Sequence, residues 1–424
     1  MEHTVSTGTT TVLVSGASIA GPALAYWLHR YGFTPTVVER APAPREGGHP
    51  IDVRGAAVDV ITRMGLLERI TAAHTETRGL STADSVGRTR ATATMADFSG
   101  SGSENDVELM RGHLSRVLYR ATESDVEYVF GDSIASMRED DDGVRVTFER
   151  SAPRAFDLVV GADGLHSTTR ALAFGEESRY RRYIGTYFAS FSVPNHLGLN
   201  RWVTLHNTPG RGAGIYAPAP HTSWREPPRP GAVSAPGPSP EAKALFVFTT
   251  RHQLPLGHHD TPAQQRVVER AFAHMGWEVP TLLAEMRDAP DFYFDSLSQV
   301  HMDHWSRGRV ALVGDAGYCP SPLAGQGSSM ALVGAYVLAD ELAAAEGDHR
   351  AAFEGYESRM GEFVRGNQRI AASGAGLLVP RSWPGIWFRD QAIRIAPKLP
   401  SIDLFGGRMQ RAANAVDLDT HVPA

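Results

Sequence analysis

The chain has 424 residues, 42% hydrophobic and 21% charged, with a formal net charge of -6 at pH 7. That length exceeds one ordinary compact core, so two domains or one elaborated domain are expected, and the negative balance argues against nucleic acid or an anionic membrane surface as main partner. One cysteine, Cys319, excludes an internal disulfide framework, the start MEHTVSTGTT lacks a signal-peptide pattern and no long apolar run is present, so a soluble cytoplasmic protein is expected.

The first informative stretch, VLVSGASIAGPALAYWLHRYGFTPTVVER, covers residues 12–40. Val12-Leu13-Val14 is the continuous apolar run expected of a parallel strand buried on both faces. Gly16-Ala17-Ser18-Ile19-Ala20-Gly21 reads as a turn, Pro22 suits a first helical turn, and Ala23, Leu24, Trp27 and Leu28 give the next helix an apolar face. Gly32 can close that helix in a left-handed conformation, and Thr36-Val37-Val38-Glu39 reads as a second strand. The helix N-terminus would offer free N–H groups and a positive dipole end to a pyrophosphate. Glu39, 18 residues past Gly21, is placed to accept hydrogen bonds from an adenosine ribose. Strand, turn, helix, strand and terminal acid together favour a dinucleotide site over a βαβ unit without ligand. Ser18 stands where such turns usually have a glycine that lets backbone approach phosphate. It is the next smallest polar choice, and its hydroxyl can itself donate.

Residues 156–170 carry another apolar strand into Gly161-Ala162-Asp163-Gly164, then Ser167, Thr168, Thr169 and Arg170. Taken alone, this is equally a tight turn with Ser167 capping a helix. Three runs rich in aromatic and branched residues, 187–193, 202–205 and 244–249, read as strands. Between the last two lie residues 218–240, whose eight prolines can hold neither ladder nor helix. This reads as a long surface loop, either an insertion or a mobile cover over a ligand cleft. Residues 309–316 then bring a buried strand to Gly314-Asp315, followed by Pro322-Leu323-Ala324-Gly325-Gln326-Gly327 and a helix over 328–342. Asp315 is placed to hydrogen-bond a polyol or simply to cap a loop. A helix start near Gly327 would stabilise a ring that becomes anionic on reduction. From about Ala371 the chain reads as helices broken by Pro380, Pro384, Pro397 and Pro400. The 17 histidines show no paired ligand spacing, so no metal is expected.

In this order and spacing the three stretches resemble the single-component, aromatic-hydroxylase type of FAD-dependent monooxygenase, the para-hydroxybenzoate hydroxylase family, over roughly residues 11–345. The resemblance implies an α/β fold with a discontinuous Rossmann-like FAD-binding domain (1–80, 105–178 and 290–370). A β-sheet substrate domain (81–104 and 179–289, with the loop 218–240) and a C-terminal helical segment (371–424) complete it. By resemblance, Gly16, Ser18, Ile19, Ala20 and Gly21 hold the pyrophosphate, Glu39 and Arg40 contact the adenosine ribose, and Asp163 with Gly164 serves both FAD and the visiting nicotinamide cofactor. Gly314 and Asp315 hold the ribityl chain, while Pro322, Gly325, Gln326 and Gly327 line the flavin ring. LMRGHLSRVL resembles the segment whose arginine, here Arg111, reaches the flavin. REGGHPIDVRG resembles the stretch in tetracycline-inactivating members where an arginine like Arg45 meets NADPH and an acid like Asp52 meets FAD. Arg45 and Arg54 read equally well as solvated surface charge. Tyr318 departs from the histidine that many members carry, and Cys319 reads as inert packing.

The implied reaction is hydroxylation through a flavin C4a-hydroperoxide, consuming NADPH or NADH and O2. Epoxidation, Baeyer–Villiger oxidation and a non-catalytic ligand-sequestering flavoprotein are the alternatives. The implied substrate is a polycyclic or aromatic natural product, and the chain is expected as a monomer or homodimer with no nucleic-acid or membrane partner. No acid–base catalytic residue is singled out. Phe188, Phe191, Trp202, His206, Phe246 and Phe248, with Pro322, are candidate walls of the dry pocket that such chemistry requires. Halogenase and dithiol-oxidoreductase readings fail for want of a WxWxIP motif and a CxxC pair.

Overall fold

The computed structural model describes residues 9–44, 47–95, 106–220, 237–258, 260–395 and 412–418, side chains within 371–378 excepted. Val12, Leu13 and Val14 are wholly buried, because the strand that they form, Thr11–Ser15, lies inside a six-stranded sheet. Its neighbours are Leu158–Gly161 on one side and Thr34–Glu39 on the other, both parallel to it. Val310–Leu312 extends the sheet beyond the first and Glu127–Phe130 beyond the second, again in parallel, and Ser306–Arg307 closes one edge in antiparallel fashion. The three apolar strands read from the sequence are thus adjacent, and their C-terminal ends come together. A parallel sheet needs cover on both faces. The helix Gly327–Ala344 is buried almost all round and packs with Ala20–Arg30 and His349–Leu378, as an apolar helix without a polar face must. On the other face Leu13, Val38 and Val159 meet Val144, Val146 and Phe148 of a three-stranded antiparallel sheet.

The second large sheet has seven strands in the order Tyr293–Val300, Arg181–Pro194, Glu241–Thr249, Arg211–Ala217, Trp202–Thr208, Gly79–Ala83 and Thr89–Thr94. Period-2 alternation divides its residues cleanly. Tyr187, Ala189, Phe191 and Val193 share one face with Ala244, Phe246 and Phe248, and that face packs under the helices Thr261–Phe272 and Val279–Met286. Phe188, Ser190, Ser192 and Lys243 occupy the opposite face, with Tyr293 and Asp295 beside them.

Three boundaries differ from the sequence reading. Tyr293–Val300, expected within the FAD-binding unit, pairs along Arg181–Pro194 in the second sheet, and the strand Gly79–Ala83, paired with Trp202–Thr208, starts two residues before the expected boundary at 81. Non-local pairing of this kind leaves no mark in local composition. The expected break at Ala371 falls inside the single helix His349–Leu378, since no proline precedes Pro380 there. Within the loop 218–240, residues 221–236 lie outside the described residues, but both described ends are pinned: Ala219 N–H donates to Thr75, and Asn195 holds the carbonyls of Ser239 and Pro240. Arg45 also lies outside the described residues.

Candidate active site

The turn after the first strand is built on close approach. Gly16 has φ +108°, and a Cβ there would lie 2.5 Å from the Ala162 carbonyl oxygen; a Cβ on Gly21 would lie 1.8 Å from the Gly16 oxygen. These two glycines let the helix Ala20–Arg30 seat against the turn, and the turn against the neighbouring strand. That helix has no side-chain cap and no acid in its first turn, which leaves its N–H groups for a ligand. Ser18 has a tie of its own. Arg111 Nη2 donates to its Oγ at 3.0 Å, and Ser115 Oγ donates to its carbonyl at 3.0 Å. The Glu39 carboxylate reaches back across the turn, accepting from Ala17 N at 2.8 Å and Ala41 N at 2.9 Å. Arg40 donates to Thr168 Oγ1 at 3.1 Å, linking the first stretch to the second.

In the second stretch Asp163 accepts from the Thr169 backbone N–H and hydroxyl, each at 2.9 Å, and from Ser167. Ser167 caps the helix Thr168–Phe174 by accepting from Arg170 N. Turn-and-cap geometry and exposure to the cleft therefore coexist. Arg170 is fully buried and donates to the carbonyls of Ala316 at 2.8 Å and Leu165 at 2.7 Å, stitching the second stretch to the third.

The third stretch turns at Gly314 (φ +66°) into Asp315, then through Ser321, a serine held at φ +79°, to Gly325 at φ +62°. A non-glycine residue at that φ is uncommon and marks a turn set by its surroundings. Burial raises the Asp315 carboxyl above its ordinary range and pushes the Cys319 thiol well up, so Cys319 is kept as the unreactive thiol. Tyr318 is buried, its hydroxyl 2.9 Å from that of Tyr356 and only 2.0 Å from where a Cβ on Gly334 would stand. The departure at Tyr318 is thus accommodated by a glycine on the neighbouring helix.

All three stretches open on one cleft of about 760 Å³ between the two sheets, within the size range of ligand sites. Gly16, Ser18, Ile19, Ala20, Glu39, Arg40, Asp52, Arg111, Asp163, Gly164, Asp315, Pro322, Gly325 and Gly327 line it. Gly21 and Gly314 do not, and Gln326 is fully buried behind it with neither side-chain atom partnered among the described residues. The expected substrate walls need correction. Phe191, Phe246 and Phe248 lie in the helix-packed core, as does His206, whose Nδ1 faces the Ala83 carbonyl; Trp202 lies on the same face, its Nε1 donating to Ser81. Of the aromatic set only Phe188 turns to the other face, where it packs on the cleft-lining His49 and Tyr293, and Pro322 lines the cleft itself. The strands were legible; which of their two faces turned toward the cleft was not.

Several lining groups escaped the sequence reading: His49, His166, His258, Tyr293 and Asp295. His49 and His166 sit inside stretches singled out for other residues, so proximity to a motif was the available signal. Tyr293 and Asp295 had none. Burial lowers His49 to about 4, aided by Arg111 and Lys243. Burial lifts Asp52 to about 6 against the opposing pull of Arg54, 3.1 Å away. Burial would lower His166, but hydrogen bonds to Asp295 and Glu177 outweigh it and hold the ring at about 9.

Residues 9–366 match the family model described as FAD binding domain. The chain belongs to this family. It is 48% identical over 367 residues to the uncharacterized protein Rv1260 of Mycobacterium tuberculosis, covering 85% of this chain and 92% of that one. It is 38% identical over 407 residues to a flavin-dependent monooxygenase of an unknown prokaryotic organism, covering 96% and 98%. Among solved structures, tetracycline destructase Tet(51) superposes with a TM-score of 0.81 at 34% identity, covering 98% of this chain and all of that one. The protein is a FAD-dependent monooxygenase of mixed α/β fold, the resemblance seen in the three stretches.

Proposed function

We propose that this flavoprotein consumes NAD(P)H and O2 to insert one oxygen atom into a polycyclic, aromatic-rich compound, by hydroxylation, with tetracycline-type molecules as the substrate class. The observation that carries this reading is the convergence of three turns, far apart in sequence, on one cleft. The residues fit FAD: the turn at Gly16 and Gly21 has no room for side chains of its own, and the uncapped helix behind it faces the cleft. Glu39 and Arg40 would hold the adenosine ribose, and the start of Ala20–Arg30 the pyrophosphate. Asp315 would accept from the ribityl hydroxyls, while Pro322, Gly325 and the N-terminus of Gly327–Ala344 would face the ring. Asp52 and Arg111, which also line the cleft, would flank it. Bound there, the flavin would supply electron acceptance from NAD(P)H and the activation of oxygen. The chain's own part is to bind, orient and exclude water, and the helix N-terminus near Gly327 would favour negative charge on the ring. Kinship with Tet(51) at 34% identity supports the substrate class.

Labelled dioxygen tests it. With tetracycline and NADPH, the product should carry one labelled oxygen atom and turnover should stop under argon while flavin reduction continues. Unlabelled product, or undiminished turnover under argon, would sink the reading.

A further inference from the structure

His49 is set in place by an unusual amount of backbone contact. Gly47 and Gly48 precede it at φ +78° and +102°, and a Cβ on Gly48 would stand 3.1 Å from Arg111 Cβ. The Gly47 carbonyl accepts from Gly112 N at 2.9 Å and the His49 carbonyl from Arg111 N at 3.2 Å. Pro50 follows, restricting His49 to extended backbone. The loop is therefore fastened to the start of the helix Arg111–Arg120, whose Arg111 also holds Ser18 in the first turn. The imidazole meets Phe188 edge-on at 5.6 Å and lies 6.1 Å from the Tyr293 ring. It lines the cleft, and neither ring nitrogen has a hydrogen-bond partner among the described residues.

Its nitrogens are open to the cleft, so a ligand that displaces water from this wall either pairs with them or leaves them unsatisfied at a cost in free energy. Burial with Arg111 and Lys243 nearby keeps the ring neutral, so it retains one donor and one acceptor nitrogen. Lys243 itself is ion-paired with Asp291, which offsets charge at this end of the cleft. A flat ring lying against Phe188 and Tyr293 would bring an oxygen substituent to the imidazole edge.

We propose that His49, in the cleft beside Phe188 and Tyr293 and without a hydrogen-bond partner among the described residues, hydrogen-bonds a ring hydroxyl or carbonyl oxygen of the substrate and thereby selects oxygenated polycyclic compounds. The inference rests on the monooxygenase reading above and adds the residue that orients the substrate. A site built to pair with a hydroxyl discriminates strongly against analogues that lack it.

Tetracycline, rich in ring hydroxyls and carbonyls, is the probe, with FAD content, KM, kcat and peroxide release measured on the holoenzyme. His49→Phe keeps a flat ring but no nitrogen. It should retain FAD, raise KM for tetracycline roughly tenfold, the weight of one lost hydrogen bond, and divert more NADPH into peroxide. His49→Gln, neutral and able to donate and accept, should recover most of the affinity. Unchanged KM and coupling in His49→Phe would overturn the proposal. So would equal damage in both variants with loss of FAD, which would mark His49 as a structural residue. A wild-type enzyme that shows no tetracycline-stimulated NADPH consumption would overturn the substrate reading itself, and that result is seen before any variant is compared.

Discussion

At the middle of the first turn, Ser18 takes a bond from Arg111 that a glycine there could not accept. The small residue in this position therefore joins the nucleotide turn to the segment Arg111–Arg120, and its hydroxyl is already engaged. Glu39 and Asp315 both line the cleft and are expected to anchor different parts of the flavin, the adenosine ribose and the ribityl chain. Either Glu39→Ala or Asp315→Ala should weaken FAD retention by about 1–3 kcal/mol, the cost of leaving buried hydroxyls unpaired, as read by equilibrium dialysis. Full retention in both would disprove the assignment. His166 offers a test at the same scale. Its folded-state value near 9 lies above the ordinary 6.5, so its contribution to stability is fully present below about 6.5 and lost as pH rises toward 9. Denaturant midpoints should fall over that window in the wild type and fall less in His166→Gln. Equal slopes would show that the His166–Asp295–Glu177 cluster stores no folding energy. Chemistry-bearing residues inside a glycine turn were legible one by one, because each turn leaves a local spacing. His49 and Tyr293 were not, since nothing local distinguishes a histidine or tyrosine that faces a cleft from one that faces solvent.

Elements were read more surely than their surroundings. The buried parallel strands showed as unbroken apolar runs, and the helix Ala20–Arg30 as an apolar face closed by Gly32, which has φ +86°. The strand Arg211–Ala217 escaped notice because its two glycines and two alanines depress β-propensity. Aromatic runs announced the second sheet but misled about its walls: Phe191 and Phe246, fully buried, belong to the core under two helices. A hydrophobic residue on a strand satisfies a helix as well as it satisfies a ligand, and alternation gives two faces without naming them. Packing between elements can be tested at Gly334. Gly334→Ala would press a methyl group into the Tyr318 hydroxyl, so the variant should lose about 1–3 kcal/mol of stability, a typical cost of overpacking. Tyr318→Phe in the same chain should recover part of that loss, as measured by a double-mutant cycle. A simple sum of the two single effects would mean that the helix Gly327–Ala344 shifts to make room.

On the scale of the whole molecule, the cleft takes residues from both large sheets and from Pro50–Val53, one strand of the small antiparallel pair. A ligand there would touch segments that belong to both large sheets. FAD binding should accordingly stabilise the fold, by about 2.7 kcal/mol at a free concentration 100 times its Kd. Deflavination should lower the melting temperature, and added FAD should restore it in proportion to the logarithm of its concentration. An unchanged melting temperature in the apo-protein would mean that the cleft is not the flavin site. Among the described residues, no helix is long and apolar enough to cross a membrane.

What the sequence determined by itself was the cofactor class and the order of the βα units, because glycine turns, strand-terminal acids and apolar runs act within a few residues of one another. Tertiary structure alone decided which sheet received Tyr293–Val300 and which face of the second sheet met the cleft. Those outcomes depend on pairing between segments more than a hundred residues apart, as between Ser190 and Tyr293. Such pairing is selected by the packing of the whole and not by any local preference.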